Sequence, residues 1–221
     1  MEAKEILSHV DHTLLSASAT WDQIQTLCDE AIEYQTASVC IPQAYISRVK
    51  EKYGDQINIC TVIGFPLGYN STGSKIVEAK DALVDGASEV DMVINITDAK
   101  NKDFKKIEDE IARIKETVGN KILKVIIETC YLSEDEKIEV CNAVTNAGAD
   151  YIKTSTGFGT GGATQEDIRL FRQNIGSNVK MKAAGGIRTV EDMEMFLNEG
   201  CDRLGTSSAI KLIKGQESKG Y

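Results

Sequence analysis

Three segments of the chain, "DGASEVDMVIN", "NAGADYIKT" and "EGCDRLGT", share one order of parts: helix end, glycine, small residue, then a short apolar run. Glycine in that place ends a helix in the left-handed conformation and lets the chain turn back as a strand. The helix starts are equally regular. Thr20, Ser133, Thr164 and Thr189 each stand three residues before an acid or amide, the pattern of a capping box that satisfies free amides at a helix N-terminus. In "NKDFKKIEDEIARIKETVGN", Phe104, Ile107, Ile111, Ile114 and Val118 recur at helical spacing. That spacing predicts one buried stripe, with the lysines and acids of 100–116 left in water.

Strands are expected near 9–13, 38–41, 57–63, 89–95, 123–128, 151–154, 180–184 and 203–206. Eight strands alternating with helices predict a parallel sheet. A length of 221 residues places eight such units at the compact end of the (β/α)8 TIM-barrel range. An open doubly wound sheet satisfies the same alternation, which does not by itself prove closure. Only Pro42 and Pro66 interrupt the chain, and no Ser/Gly/Pro-rich linker divides it. One domain over 1–221 is expected, with a polar, flexible tail from about 214.

Composition limits the partners. A net charge of −9 argues against a general nucleic-acid or anionic-membrane binder. No apolar run is long enough to span a membrane, and the first ten residues carry no signal-peptide core. The six cysteines form no C-x-x-C pair and no zinc-spaced cluster, so no metal or other cofactor is expected. Scattered thiols of this kind fit a reducing cytoplasm.

Period-two alternation sorts the strand faces. Val90, Met92 and Ile94 share one face, and Glu89, Asp91, Val93 and Asn95 the other. Ile152 faces the helices, with Tyr151 and Lys153 inward. Val179, Met181 and Ala183 face the helices, with Lys180 and Lys182 inward. Val125 and Ile127 point outward, with Lys124, Ile126 and Glu128 inward. Asp91, Lys124, Lys153 and Lys182 therefore converge on the interior, toward the strand ends that carry barrel active sites. A buried ammonium is costly unless compensated. Packing ion pairs would explain any one of these charges; three lysines and an aspartate from four strands argue for chemistry.

A neutral lysine can attack an aldehyde or ketone and form a Schiff base, and a nearby cation disfavours its charged form. Lys182 would supply that cation to Lys153, and Asp91 with Lys182 could move protons. Glycine-rich turns follow the lysines: "STGFGTGG" after Lys153, "AAGGIR" after Lys182, and "LGTSS" at the last strand. Backbone amides in such turns hold phosphate oxygens. Gly185, Gly186, Ser207 and Ser208 match the usual barrel phosphate site; tight turns alone would explain one glycine pair.

These residues bring a family into view. "EVDMVIN", "KVIIET", "YIKTSTGF", "KAAGGIRT" and "LGTSS", in that order, with "DHTLL" and "SVCI" upstream, resemble the deoxyribose-phosphate aldolase family of class I aldolases over essentially the whole chain. The resemblance implies a TIM barrel, Lys153 as Schiff-base lysine, Asp91 and Lys182 as proton-relay pair, and Lys124 as supporting lysine. It also implies phosphate contacts in the glycine turns, with Thr156, Gly157, Gly185, Gly186, Ser207 and Ser208 at the substrate. Some members carry a lysine after "STG"; here that position is Phe158. Some end in a mobile tail whose tyrosine assists proton transfer, a role open to Tyr221 alongside that of a frayed terminus. The implied activity is reversible cleavage of 2-deoxy-D-ribose 5-phosphate to acetaldehyde and D-glyceraldehyde 3-phosphate, in deoxyribonucleoside breakdown. The partners would be a small phosphorylated sugar and a short aldehyde, and the family often forms homodimers.

Thr13, at the end of the first strand, is a candidate hydroxyl contact. His9, His12, Cys40 and Trp21 are read as packing or local hydrogen-bonding residues. Two rivals fit the same residues: another lysine-dependent aldolase or transaldolase, and a catalytically silent phosphosugar-binding barrel.

Overall fold

Eight parallel strands pair in chain order, and the first pairs with the last, so the sheet closes and the open alternative is excluded. The computed structural model describes residues 1–216. The strands are β1 Val10–Thr13, β2 Ser38–Cys40, β3 Ile59–Ile63, β4 Glu89–Val93, β5 Ile122–Ile126, β6 Tyr151–Lys153, β7 Lys180–Ala184 and β8 Arg203–Thr206. Helix α1 (Ala3–Ser8) precedes β1. The others are α2 (Trp21–Tyr34), α3 (Ile46–Tyr53), α4 (Thr72–Asp85), α5 (Ile96–Lys100), α6 (Phe104–Val118), α7 (Glu134–Asn146), α8 (Gln165–Asn174), α9 (Val190–Asn198) and α10 (Ala209–Ile213). Tyr221, a candidate for proton transfer, lies outside the described residues. The amides of Lys214, Gly215 and Gln216 still donate back into α10.

The local signals read from sequence produce these elements. Thr20, Ser133 and Thr189 form reciprocal capping boxes, and Thr164 accepts the Asp167 amide. Gly86 closes α4 at φ 112°, where a Cβ would be strained. The outward strand residues Val90, Met92, Val125, Ile152 and Ala183 are fully buried against the helices, in one cluster with Ile107, Ile111, Ile114 and Phe171. Each buried Val, Ile, Met or Phe among them stabilises the fold by about 1.5–3 kcal/mol relative to exposure.

Three expectations need correction. First, β4 stops at Val93, and Asn95 accepts the Thr97 amide as the cap of α5 instead of facing the barrel. Second, the polar face of α6 is not wholly solvated. Glu110 is buried against Lys75 of α4, whose ammonium donates to Glu110 at 2.9 Å and to the Val93 carbonyl at 2.8 Å. A helical period does not reveal a partner on another helix. Third, Lys180 shares the inward register, but it starts β7 at the barrel's lower rim, and its side chain is 58% exposed beside Asp202.

Candidate active site

Register builds the site. Asp91 on β4 lies opposite Lys124 on β5, and Lys153 on β6 opposite Lys182 on β7. Alternation turns all four inward, and the barrel's closure brings β1 and β8 against them. Lys153 donates to Asp91 Oδ2 at 2.7 Å, and Lys182 donates to the same oxygen at 2.8 Å. Lys124 donates to Asp91 Oδ1 at 2.9 Å and pairs with Glu89 at 2.6 Å. The four expected charges therefore do meet.

The cluster is larger than sequence reasoning indicated. Asp11 on β1 accepts from Lys182, from Arg203 of β8 and, at 2.8 Å, from the Ser38 hydroxyl. Arg203 also donates to both Glu89 oxygens, at 3.1 and 3.2 Å. The Cys60 thiol donates to Asp91 Oδ1 at 3.1 Å. Asp11 shares the inward face of β1 with Thr13. Gly205 makes room for Lys182: a Cβ there would stand 3.0 Å from the lysine's Cε.

Charge fixes the states of these groups. Burial alone would push Asp91 up, but Lys124, Lys153 and Lys182 outweigh it and hold the carboxyl well below its usual range. Burial would likewise raise Asp11, and Lys124, Lys182 and Arg203 hold it down. For Lys182, burial opposes the charge, and Asp11 with Asp91 more than restore it, so its ammonium is held above the usual lysine range. Lys124 is raised in the same way, against burial, chiefly by Asp11 and Asp91. In contact with one another stand four cations, Lys124, Lys153, Lys182 and Arg203, and three carboxylates, Asp11, Asp91 and Glu89.

A cavity of about 110 Å³ opens above this cluster, and of the charged set only Lys153 lines it. Lys153 is 4% exposed, whereas Asp91, Lys124 and Lys182 are fully buried behind it. Thr13, Thr156, Gly157, Gly185, Gly186, Arg188, Ser207 and Ser208 are also part of its wall. Gly157, Gly185 and Gly186 all have positive φ, at 87°, 78° and 74°. Thr13 donates its hydroxyl to the Asp11 carbonyl at 2.7 Å. Arg188, an exposed loop cation on this wall, was not nominated; no periodicity marks a loop residue. Phe158, where the resemblance places a lysine in some members, packs edge-on against Phe65 with ring centres 5.3 Å apart. Tyr221 is not among the described residues.

His12 points away and bonds Glu30 at 2.9 Å, and His9 bonds the Asp202 carbonyl at 2.9 Å. Trp21 stacks with Tyr45 beneath the Arg48 guanidinium. Cys40 is buried opposite Cys60. Among the described residues, ligand atoms of Cys40, Cys60 and Asp91 lie within 4.8 Å of one another, as do those of Asp11, Cys60 and Glu89. A metal cation at either place would meet the ammonium and guanidinium groups already bonded there.

Among the described residues one amine faces the cavity of this closed barrel, backed by carboxylates and rimmed by glycine turns, an arrangement suited to an aldolase. The chain belongs to the DeoC/LacD family of aldolases, whose profile matches residues 6–208. It is 70% identical over 221 residues to the deoxyribose-phosphate aldolase of Clostridium botulinum (strain Alaska E43 / Type E3), covering 100% of both chains. It is 57% identical over 218 residues to that of Clostridioides difficile (strain 630), covering 99% of this chain and 100% of the other. The tetrameric deoxyribose phosphate aldolase of Aeropyrum pernix superposes with a TM-score of 0.90 at 29% identity, over 97% of this chain and 92% of that one. The protein is thus a carbon–carbon lyase. Among its described residues no helix is long and apolar enough to cross a membrane.

Proposed function

We propose that this aldolase cleaves 2-deoxy-D-ribose 5-phosphate reversibly to acetaldehyde and D-glyceraldehyde 3-phosphate, through a Schiff base on Lys153 and without a metal. The observation that carries the reading is that Lys153 alone, of four clustered cations, faces the cavity. Its attack requires a neutral amine.

The amine adds to the open-chain aldehyde at C1 and expels water, giving a protonated imine. The C3 hydroxyl proton leaves through a water coupled to Asp91. The C2–C3 bond breaks, its electron pair passes to C2 and the iminium nitrogen, and glyceraldehyde 3-phosphate departs. The resulting enamine takes a proton at C2 from the relay of Asp91 and Lys182. Water then releases acetaldehyde and the free amine. The phosphate of the substrate lies in the turns at Gly157, Gly185, Gly186, Ser207 and Ser208, with Arg188 adding positive charge. The setting would be deoxyribose breakdown in the cytoplasm. The tetrameric Aeropyrum pernix relative supports self-association of this chain, which light scattering would read.

Borohydride reduction in the presence of acetaldehyde or deoxyribose 5-phosphate, followed by peptide mapping, tests the reading. A stable adduct is expected on Lys153, and turnover should vanish in Lys153→Arg, whose guanidinium stays charged. Adduct on Lys182 would reverse the assignment. Ligand binding with no adduct anywhere would instead describe a silent phosphosugar binder.

A further inference from the structure

Glu128 stands two residues beyond Ile126, the strand partner of Lys153, on the inward register. It is 1% exposed yet does not line the cavity. Its backbone takes φ 51° and ψ 66°, a left-handed conformation that a residue with a Cβ adopts only when its surroundings impose it. What imposes it is a grip on the neighbouring loop. The Thr156 amide donates to Glu128 Oε1 at 3.1 Å and Oε2 at 3.3 Å, and the Thr156 hydroxyl donates to Oε2. The same Thr156 oxygen accepts the Phe158 amide at 3.0 Å. Gly157 is thereby fixed from both sides. Gly159 rests on the carboxyl as well: a Cβ there would lie 3.1 Å from Glu128 Cδ.

This grip answers a problem set by the sequence. The segment "STGFGTGG" has four glycines in eight residues, so it loses much conformational freedom on ordering. A wall that must be ordered by its ligand binds weakly, because ordering is subtracted from affinity. We infer that Glu128 is the positioning residue for the anion end of the pocket: its carboxylate fixes Thr156 and so sets, before ligand arrives, the turn at Gly157 that walls the phosphate site. Burial pushes this carboxyl above its ordinary range, and the Thr156 bonds and nearby Lys153 pull it partly back. The Thr156 amide and hydroxyl are thus spent on Glu128, and the ligand meets the turn they hold.

The inference rests on the reading of this pocket as a phosphate site, and its test separates the two. Isothermal calorimetry with inorganic phosphate is run on the full chain and on Glu128→Ala and Glu128→Gln. Steady-state kinetics follow with deoxyribose 5-phosphate and with unphosphorylated deoxyribose. Glu128→Ala should weaken inorganic phosphate and raise KM for the phosphorylated sugar about tenfold, with kcat/KM on the unphosphorylated sugar within about twofold of wild type. Glu128→Gln, which retains one acceptor oxygen, should fall between, and it decides the matter alone where the alanine variant does not fold. Equal losses on both sugars, or unchanged phosphate affinity, would overturn the assignment and leave Glu128 a merely structural residue. A wild-type protein that cleaves neither sugar would overturn the aldolase substrate instead, while the calorimetric comparison would still decide Glu128.

Discussion

Lys153 and Lys182, opposite one another on β6 and β7, donate to a single oxygen of Asp91, at 2.7 and 2.8 Å. One carboxylate oxygen thus couples the cavity-facing amine to an ammonium held firmly charged behind it. A proton change at either nitrogen is felt at the other through that atom.

Asp91→Asn keeps the shape and removes the charge that three ammonium groups share. We expect kcat to fall by about 10²–10⁴-fold, the usual range for a displaced proton-transfer group. Circular dichroism should show the barrel intact. A rate near wild type would take Asp91 out of the chemistry.

Arg188→Ala should raise KM for the phosphorylated sugar about tenfold and flatten its dependence on ionic strength, because an exposed cation on the cavity wall acts through a screened field. Rates measured across a salt series check this. An unchanged salt response would show that the glycine turns hold the anion by themselves.

Gly162 packs against the turn of the neighbouring strand: a Cβ there would stand 2.4 Å from the Gly185 carbonyl oxygen and 2.5 Å from its carbon. Backbone cannot swing aside as a side chain can. Gly162→Ala should therefore cost about 1–3 kcal/mol in urea unfolding and displace the phosphate turn, raising KM. Wild-type stability in this variant would show that the two loops part without strain.

Lys75→Met leaves Glu110 buried without its partner, at a cost of about 3–5 kcal/mol. Lys75→Met with Glu110→Leu should recover much of that loss, although the Val93 carbonyl still lacks its donor. Denaturant melts of the two singles and the double give the coupling. Simple additivity would mean the pair contributes no interaction of its own.

Asp11 has a folded-state carboxyl held below the ordinary 3.8, by cations that outweigh burial. The sign follows: its stabilisation is present above 3.8 and is lost as pH falls toward the depressed folded value. Asp11→Asn should be markedly less stable than wild type near neutrality, and the gap should narrow below pH 3.8. Urea unfolding at stepped pH reads it; a gap independent of pH would mean the loss is one of packing.

The barrel was legible because each unit carried its own punctuation: a hydroxyl cap, a glycine stop and a run of alternating residues. The same alternation placed Asp91, Lys124, Lys153 and Lys182 on one surface. It was silent where strands are short or the partner is remote. β1 offers only two inward positions, Asp11 and Thr13, too few for alternation to mark a face. Glu89 was correctly faced inward, but its value depends on Arg203, which arrives from the last strand. Glu110 sits at the edge of a helical stripe, and its burial is decided by Lys75 across two packed helices. Alternation faced Glu128 inward, although β5 ends at Ile126, but its partner Thr156 and the cation Arg188 lie on loops, where local pattern carries no direction.

Asp11 lies 171 residues from Lys182 and 192 from Arg203 in the chain, yet bonds to both. A chain emerging from the ribosome makes this carboxylate long before its counter-ions exist. Lys124 and Lys182 arrive with the fifth and seventh strands, and only the eighth, seating beside the first, brings the Arg203 guanidinium to this acid. The ring of charges at the barrel's centre is therefore completed by the last strand of the chain.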